Sequence, residues 1–167
     1  TNPVKEDVEF VESIKDNIAF GVLEQDEHRL QDVVSISMIA KDLEDFNDGW
    51  NTVIGEKGLT LSGGQKQRVA MSRALIRKPE ILVLDDSLSA VDADTEKRIL
   101  DALLKDRDGK TTLIVSHRVS TLAHADTVIV LENGKLTEQG SPEELAASDG
   151  FFAQMAKFLT AAAFTFS

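Results

Sequence analysis

The chain has 167 residues, 18 basic and 29 acidic side chains, and a formal net charge of −11. The length suits about one domain with a substantial core, and the negative balance argues against nucleic acid as a partner. There is no cysteine, which excludes disulfides, zinc–thiolate sites and cysteine nucleophiles, and the longest apolar runs have four or five residues, against about 20 for a membrane span.

Residues 1–21 are mixed and acidic and end in Asn17-Ile18-Ala19-Phe20-Gly21. Leu30, Val33, Val34, Met38 and Leu43 recur near a 3.6-residue period, which predicts a helix over 23–47. Asp48-Gly49-Trp50-Asn51 reads as a turn. Ser62-Gly63-Gly64-Gln65 opens a helix that runs to about Arg77 and stops at Lys78-Pro79. Beyond it the rhythm changes. Ile81–Leu84, Thr111–Val115 and Thr127–Leu131 read as strands, separated by helices over 93–106 and 118–125. Asn133-Gly134 predicts a hairpin turn into Lys135–Gln139, Ser141-Pro142 starts a helix, and a last helix follows Gly150 to about Leu159. Alternating strands and helices predict an α/β layer, its parallel strands buried on both faces and the hairpin adding an antiparallel edge. The expected divisions are 1–21, a helical lobe over 22–79, an α/β lobe over 80–159 and a tail over 160–167.

Three stretches carry candidate chemistry. In Leu61-Ser62-Gly63-Gly64-Gln65, Ser62 and Gln65 have capping-box spacing. The glycines let a ligand approach backbone N–H groups where a helix N-terminus favours phosphate. Taken alone, Ser-Gly-Gly is more often just a well-capped helix. Ile81–Leu84 leads into Asp85-Asp86, two carboxylates at a strand's carboxyl end, where open α/β sheets collect ligands and where Mg²⁺ and a nucleophilic water can be held. A solvated acidic turn fits as well. His117 follows the Thr111–Ser116 run; a lone histidine is more often structural.

In order and at tight spacing, these stretches resemble the ATP-binding cassette (ABC) family of nucleotide-binding domains over about residues 8–159. Leu61–Gln65, continuing Lys66-Gln67-Arg68, is similar to the signature motif, Ile81–Asp86 to the Walker B strand, Ser89-Ala90-Val91-Asp92 to the D-loop and His117 to the switch histidine. Gly55-Glu56-Lys57-Gly58 resembles the X-loop of exporters, which meets the transmembrane domains, and Ser13–Ile18 the stretch after the Q-loop. The resemblance implies a P-loop NTPase-like core, in its C-terminal part a mostly parallel sheet with helices, plus a helical subdomain. It also implies ATP and Mg²⁺ as ligands and a place on the cytoplasmic face of a membrane. Two such domains sandwich two ATPs, so Leu61, Ser62, Gly63, Gly64, Gln65 and Asp92 would face nucleotide, Asp85 the metal, and Asp86 and His117 the hydrolysis step.

Two departures qualify what is implied. The 167 residues contain no Gly-x-x-x-x-Gly-Lys-[Ser/Thr], the loop that cradles the β/γ phosphates, and Lys5 stands about where the Q-loop glutamine would fall. A fragment of a larger exporter is therefore expected, with residues 1–21 following the Q-loop and strand edges left open; whether the chain alone is an enzyme stays open. Asp86 stands where active members carry Glu. It is shorter by one C–C bond, roughly 1.5 Å, and a 1 Å misplacement can cost about 10²-fold in rate. This pattern resembles the weakened half of a heterodimeric multidrug exporter, which supplies its signature to a partner domain carrying the catalytic Glu. A non-catalytic regulatory remnant is the alternative. A lobe of the chromosome-maintenance ATPases fits less well, because 23–47 lacks sustained heptads.

Overall fold

The first strand pair shows how the sequence builds its sheet. β1 (Ile81–Asp85) and β2 (Thr111–Val115) run parallel, Ile81 opposite Thr111 and Asp85 opposite Val115. The connection between them is α5 (Ala93–Asp106), the crossover helix that a parallel pair requires. The computed structural model describes residues 12–22, 26–55 and 58–163, with side chains to Lys157. Lys5, Glu56, Lys57, the expected helix start at 23–25 and the last four tail residues lie outside the described residues. The chain forms two compact units that divide between Val115 and Ser116, whereas a lobe boundary was expected near residue 79.

In the first unit, α1 (Ile14–Ala19), α2 (Glu27–Ile36), α3 (Ala40–Asp45) and α4 (Gly63–Leu75) precede β1. The helix expected over 23–47 is two helices. Met38 takes φ +59°, a left-handed conformation that helical periodicity cannot reveal and that ends the i→i−4 ladder. Asp48–Asn51 carries the expected reversal as a 3-10 turn at Gly49–Asn51. Ile14, Ile18, Val33, Leu75, Ile99 and Leu103 are fully buried in one cluster that joins these helices to Leu82 and Leu84 of β1. Polar ties reinforce it. Arg29 spans from α2 to Asp106 (2.6 and 3.0 Å) and the Leu75 carbonyl (2.9 Å), and Ser72 meets Ser37 at 2.7 Å. Arg107 donates to the carbonyls of Pro79 and Thr111 and to Thr112 Oγ1 (2.9, 2.7 and 2.8 Å), fixing both strand starts.

The β1–β2 pair departs from expectation in its burial. Its strands are not buried on both faces. Leu82 and Leu84 are 4% exposed, but Ile81 is 66%, Val83 52%, Leu113 53% and Val115 50% exposed. The inner face packs on the helices of the first unit through Leu82 and Leu84, while the outer-face side chains stay at least half exposed. Among the described residues there are two separate two-stranded sheets, one parallel and one antiparallel. Among the described residues no further strand pairs with β1 or β2.

The second unit holds α6 (Val119–Leu122), β3 (Val128–Glu132), β4 (Lys135–Gly140), α7 (Pro142–Ala146) and α8 (Phe151–Ala163). Asn133 and Gly134 both take positive φ, 51° and 74°, the signature of a tight primed turn. Ser141 and Glu144 close a capping box on α7. Val128, Leu145 and Phe152 form the core, and the Glu138 carboxylate accepts from the Phe151 amide at the start of α8.

Candidate functional site

The glycine turn sits at the N-terminus of α4, as the spacing predicts. Ser62 is the N-cap. Its Oγ accepts from the Gln65 amide (3.3 Å) while Gln65 Oε1 accepts from the Ser62 amide (2.9 Å). Among the described residues this leaves the amides of Gly63 and Gly64 without a partner, at a helix end where partial positive charge gathers. The turn is chemically suited to an oxyanion and is exposed at Ser62 and Gly63.

Contacts the sequence did not announce hold it in place. Asp42 of α3 accepts from Gln65 Nε2 (2.7 Å) and pairs with Arg68 (2.6 Å). Gln67 reaches from α4 to Ser89 and Ala90. No local spacing signals these pairs, because each closes across more than 20 residues. Gly64 also has a packing reason. A Cβ there would lie 2.8 Å from the Ala90 carbonyl oxygen, closer than such atoms come. Leu61, expected with its motif to face nucleotide, is 3% exposed and its side chain lies in the core cluster, where it anchors the turn.

Asp85 ends β1 with its residue exposed. Asp86 continues the ladder by one bond, its amide donating to the Val115 carbonyl (3.0 Å). It then turns away with φ +49°, a region in which Asp is better tolerated than most residues. Its carbonyl accepts from the amide and hydroxyl of Ser89 (3.2 and 2.9 Å). Asp92 caps α5, accepting from the Thr95 amide (3.0 Å), and that bond holds its carboxyl below the usual range. The structure thus gives Asp92 a local task. β2 ends at Val115, in register with Asp85. His117, two residues on, is exposed and belongs to the second unit.

The residues present fit part of a nucleotide site. Among the described residues no group of three or more His, Asp or Glu could hold a metal ion. Mg²⁺ is ordinarily held by one or two carboxylates together with substrate phosphates, so Asp85 suits the ion only alongside a bound polyphosphate. The turn at Gly63-Gly64 can receive a phosphate, but no phosphate-cradling lysine loop is present in the sequence.

A family model described as "ABC transporter" matches residues 4–89. The chain is 44% identical over 143 residues to the "probable multidrug resistance ABC transporter ATP-binding/permease protein YheI" of Bacillus subtilis, covering 86% of this chain and 24% of that protein. It is 38% identical over 148 residues to the "ATP-dependent lipid A-core flippase" of Legionella pneumophila, covering 89% and 25%. A solved structure of a bacterial Atm1-family ABC exporter with ATP bound is similar at a TM-score of 0.84 and 39% identity, over 90% of this chain and 26% of that one. The chain therefore spans about a quarter of the length of these relatives. No helix among its described residues is long and apolar enough to cross a membrane.

Proposed function

The chain belongs to the ABC transporter family, and from that premise we propose that it is part of the ATP-binding domain of an exporter, on the cytoplasmic face of a membrane. Its N-terminal turn of α4 completes a nucleotide site whose phosphate loop belongs to a partner domain. The observation that carries this reading is the capped turn, whose two glycine amides have no partner among the described residues, pinned by Asp42 and Gln67. The likeness to an ATP-bound exporter supports it.

In this reading the residues divide by site. The amides of Gly63 and Gly64 with Ser62 bind phosphate oxygens of nucleotide held by the partner, while Leu61 and Gln65 fix the turn. Asp85 and Asp86 serve the chain's own site, Asp85 toward Mg²⁺ and Asp86 toward the attacking water, and His117 keeps the switch-histidine role that the resemblance implies. ATP with Mg²⁺ supplies the phosphoanhydride whose hydrolysis drives transport. Asp86 is one bond too short to orient water as Glu would, roughly 1.5 Å, so this site is the weaker one and the partner carries the catalytic Glu. Asp92 sets the start of α5 and the end of the loop from Asp86. Residues 22–79 form the helical subdomain, with Gly55–Gly58 facing the transmembrane domains, and 80–159 the C-terminal part of the core.

Site-directed variants of the assembled transporter test this. Ser62→Arg fills the phosphate position and abolishes ATP turnover, while Asp86→Ala lowers it only modestly. A collapse of turnover with Asp86→Ala contradicts the weak-site assignment. Full turnover with Ser62→Arg contradicts the trans-site reading.

A further inference from the structure

One side chain joins the α4 turn to the loop that carries Asp86. Gln67 lies one turn after Gly64, on the same helix face. Its Nε2 donates to Ser89 Oγ (3.0 Å) and to the Asp86 carbonyl (3.4 Å), and its Oε1 accepts from the Ala90 amide (3.0 Å). The helix can approach this closely because Gly64 carries no Cβ to meet the Ala90 carbonyl. Asp86 has φ +49°, a conformation that a non-glycine residue keeps when its surroundings over-determine it. We infer that Gln67 is a positioning residue that clamps the Asp86–Ala90 loop to α4, so that the α4 turn and Asp86 move as one body. This rests on the reading of the α4 turn as a contact to the partner's nucleotide. It makes Gln67 the link through which a change at one nucleotide is felt at the other, since the turn serves one and Asp86 the other.

The test uses the assembled transporter with Gln67→Leu, Gln67→Glu and Ser62→Arg. Gln67→Leu keeps side-chain bulk and removes both hydrogen-bonding ends. Because Asp86 serves the weaker site, kcat is expected to fall by about as much as in Asp86→Ala and no further, with KM for ATP and the thermal midpoint unchanged. Hydrogen exchange in the peptide 86–91 rises about fivefold or more, the worth of one lost hydrogen bond, while exchange along α4 holds. Gln67→Glu keeps the acceptor for Ala90 and recovers part of kcat. If Gln67→Leu does not assemble, Ser89→Ala removes one contact of the clamp and gives the same pattern at smaller size. Unchanged kcat and unchanged exchange at 86–91 overturn the inference, as does a loss of kcat that only tracks a falling thermal midpoint. Ser62→Arg separates the two readings: full turnover there defeats the nucleotide assignment itself, whereas its loss beside an unaffected Gln67→Leu defeats only the clamp.

Discussion

The N-terminal turn of α4 and the outer face of the β1–β2 pair lie in the same unit, yet they are completed in different ways. The turn is held by polar contacts from Asp42, Gln65 and Gln67 and by the close fit of Gly64 on Ala90. The sheet face presents Ile81, Val83, Leu113 and Val115, each at least half exposed. The chain's own residues therefore specify the geometry of its phosphate-suited turn without any added group. The same residues leave apolar area uncovered, at about 25 cal/mol for each Å² that burial would recover. Site geometry and sheet completion are separate properties here, and substitutions can address each alone.

The largest effect is expected where β1 faces inward. Leu84 is 4% exposed, so Leu84→Ala should cost about 3–4 kcal/mol, read from the denaturant midpoint. A loss below about 1 kcal/mol would mean that the inner face is as loose as the outer. Next comes the Arg29–Asp106 pair, with side chains 9% and 21% exposed. Arg29→Ala should cost about 2 kcal/mol, below the value for a fully buried pair. Hydrogen bonding from Arg29 holds the Asp106 carboxyl below its ordinary 3.8. A depressed folded value means that the pair's stabilisation is fully present above pH 3.8 and is lost as pH falls through that lower folded value. Wild type should lose stability over that acid window more steeply than Arg29→Ala; equal slopes would remove Arg29 as the cause.

Smaller effects sharpen the contrast. Gly64→Ala should cost about 1–2 kcal/mol by overpacking against Ala90, and a neutral result would mean that the loop yields easily. Val83→Ala should change the stability of this chain by less than about 0.5 kcal/mol. A markedly larger loss in the assembled transporter of the proposed reading would show that the outer face is covered there.

The helix over 93–106, both parallel strands and the Asn133-Gly134 hairpin were legible from periodicity and turn chemistry, and each lies where expected. The break at Met38 was not, because apolar spacing runs on across a single left-handed residue. An apolar run such as Ile81–Leu84 reads as buried on both faces, and nothing local tells which side chains lack cover. In the candidate site, the capping box of Ser62 and Gln65 could be read from spacing alone. Gln67 and Asp42 could not, since their partners lie 19 or more residues away. Leu61 was read with its motif as a ligand contact. An apolar residue just before an N-cap was already a signal that it faces the core.

The central claim is that the α4 turn touches nucleotide held by another domain. The most direct measurement is photolabelling with an ATP analogue reactive at its γ-phosphate, followed by mapping of the modified peptide with and without the partner domain. The account predicts label on the peptide containing Ser62–Gln65 only when the partner is present. Label there without the partner, or none with it, would contradict the account.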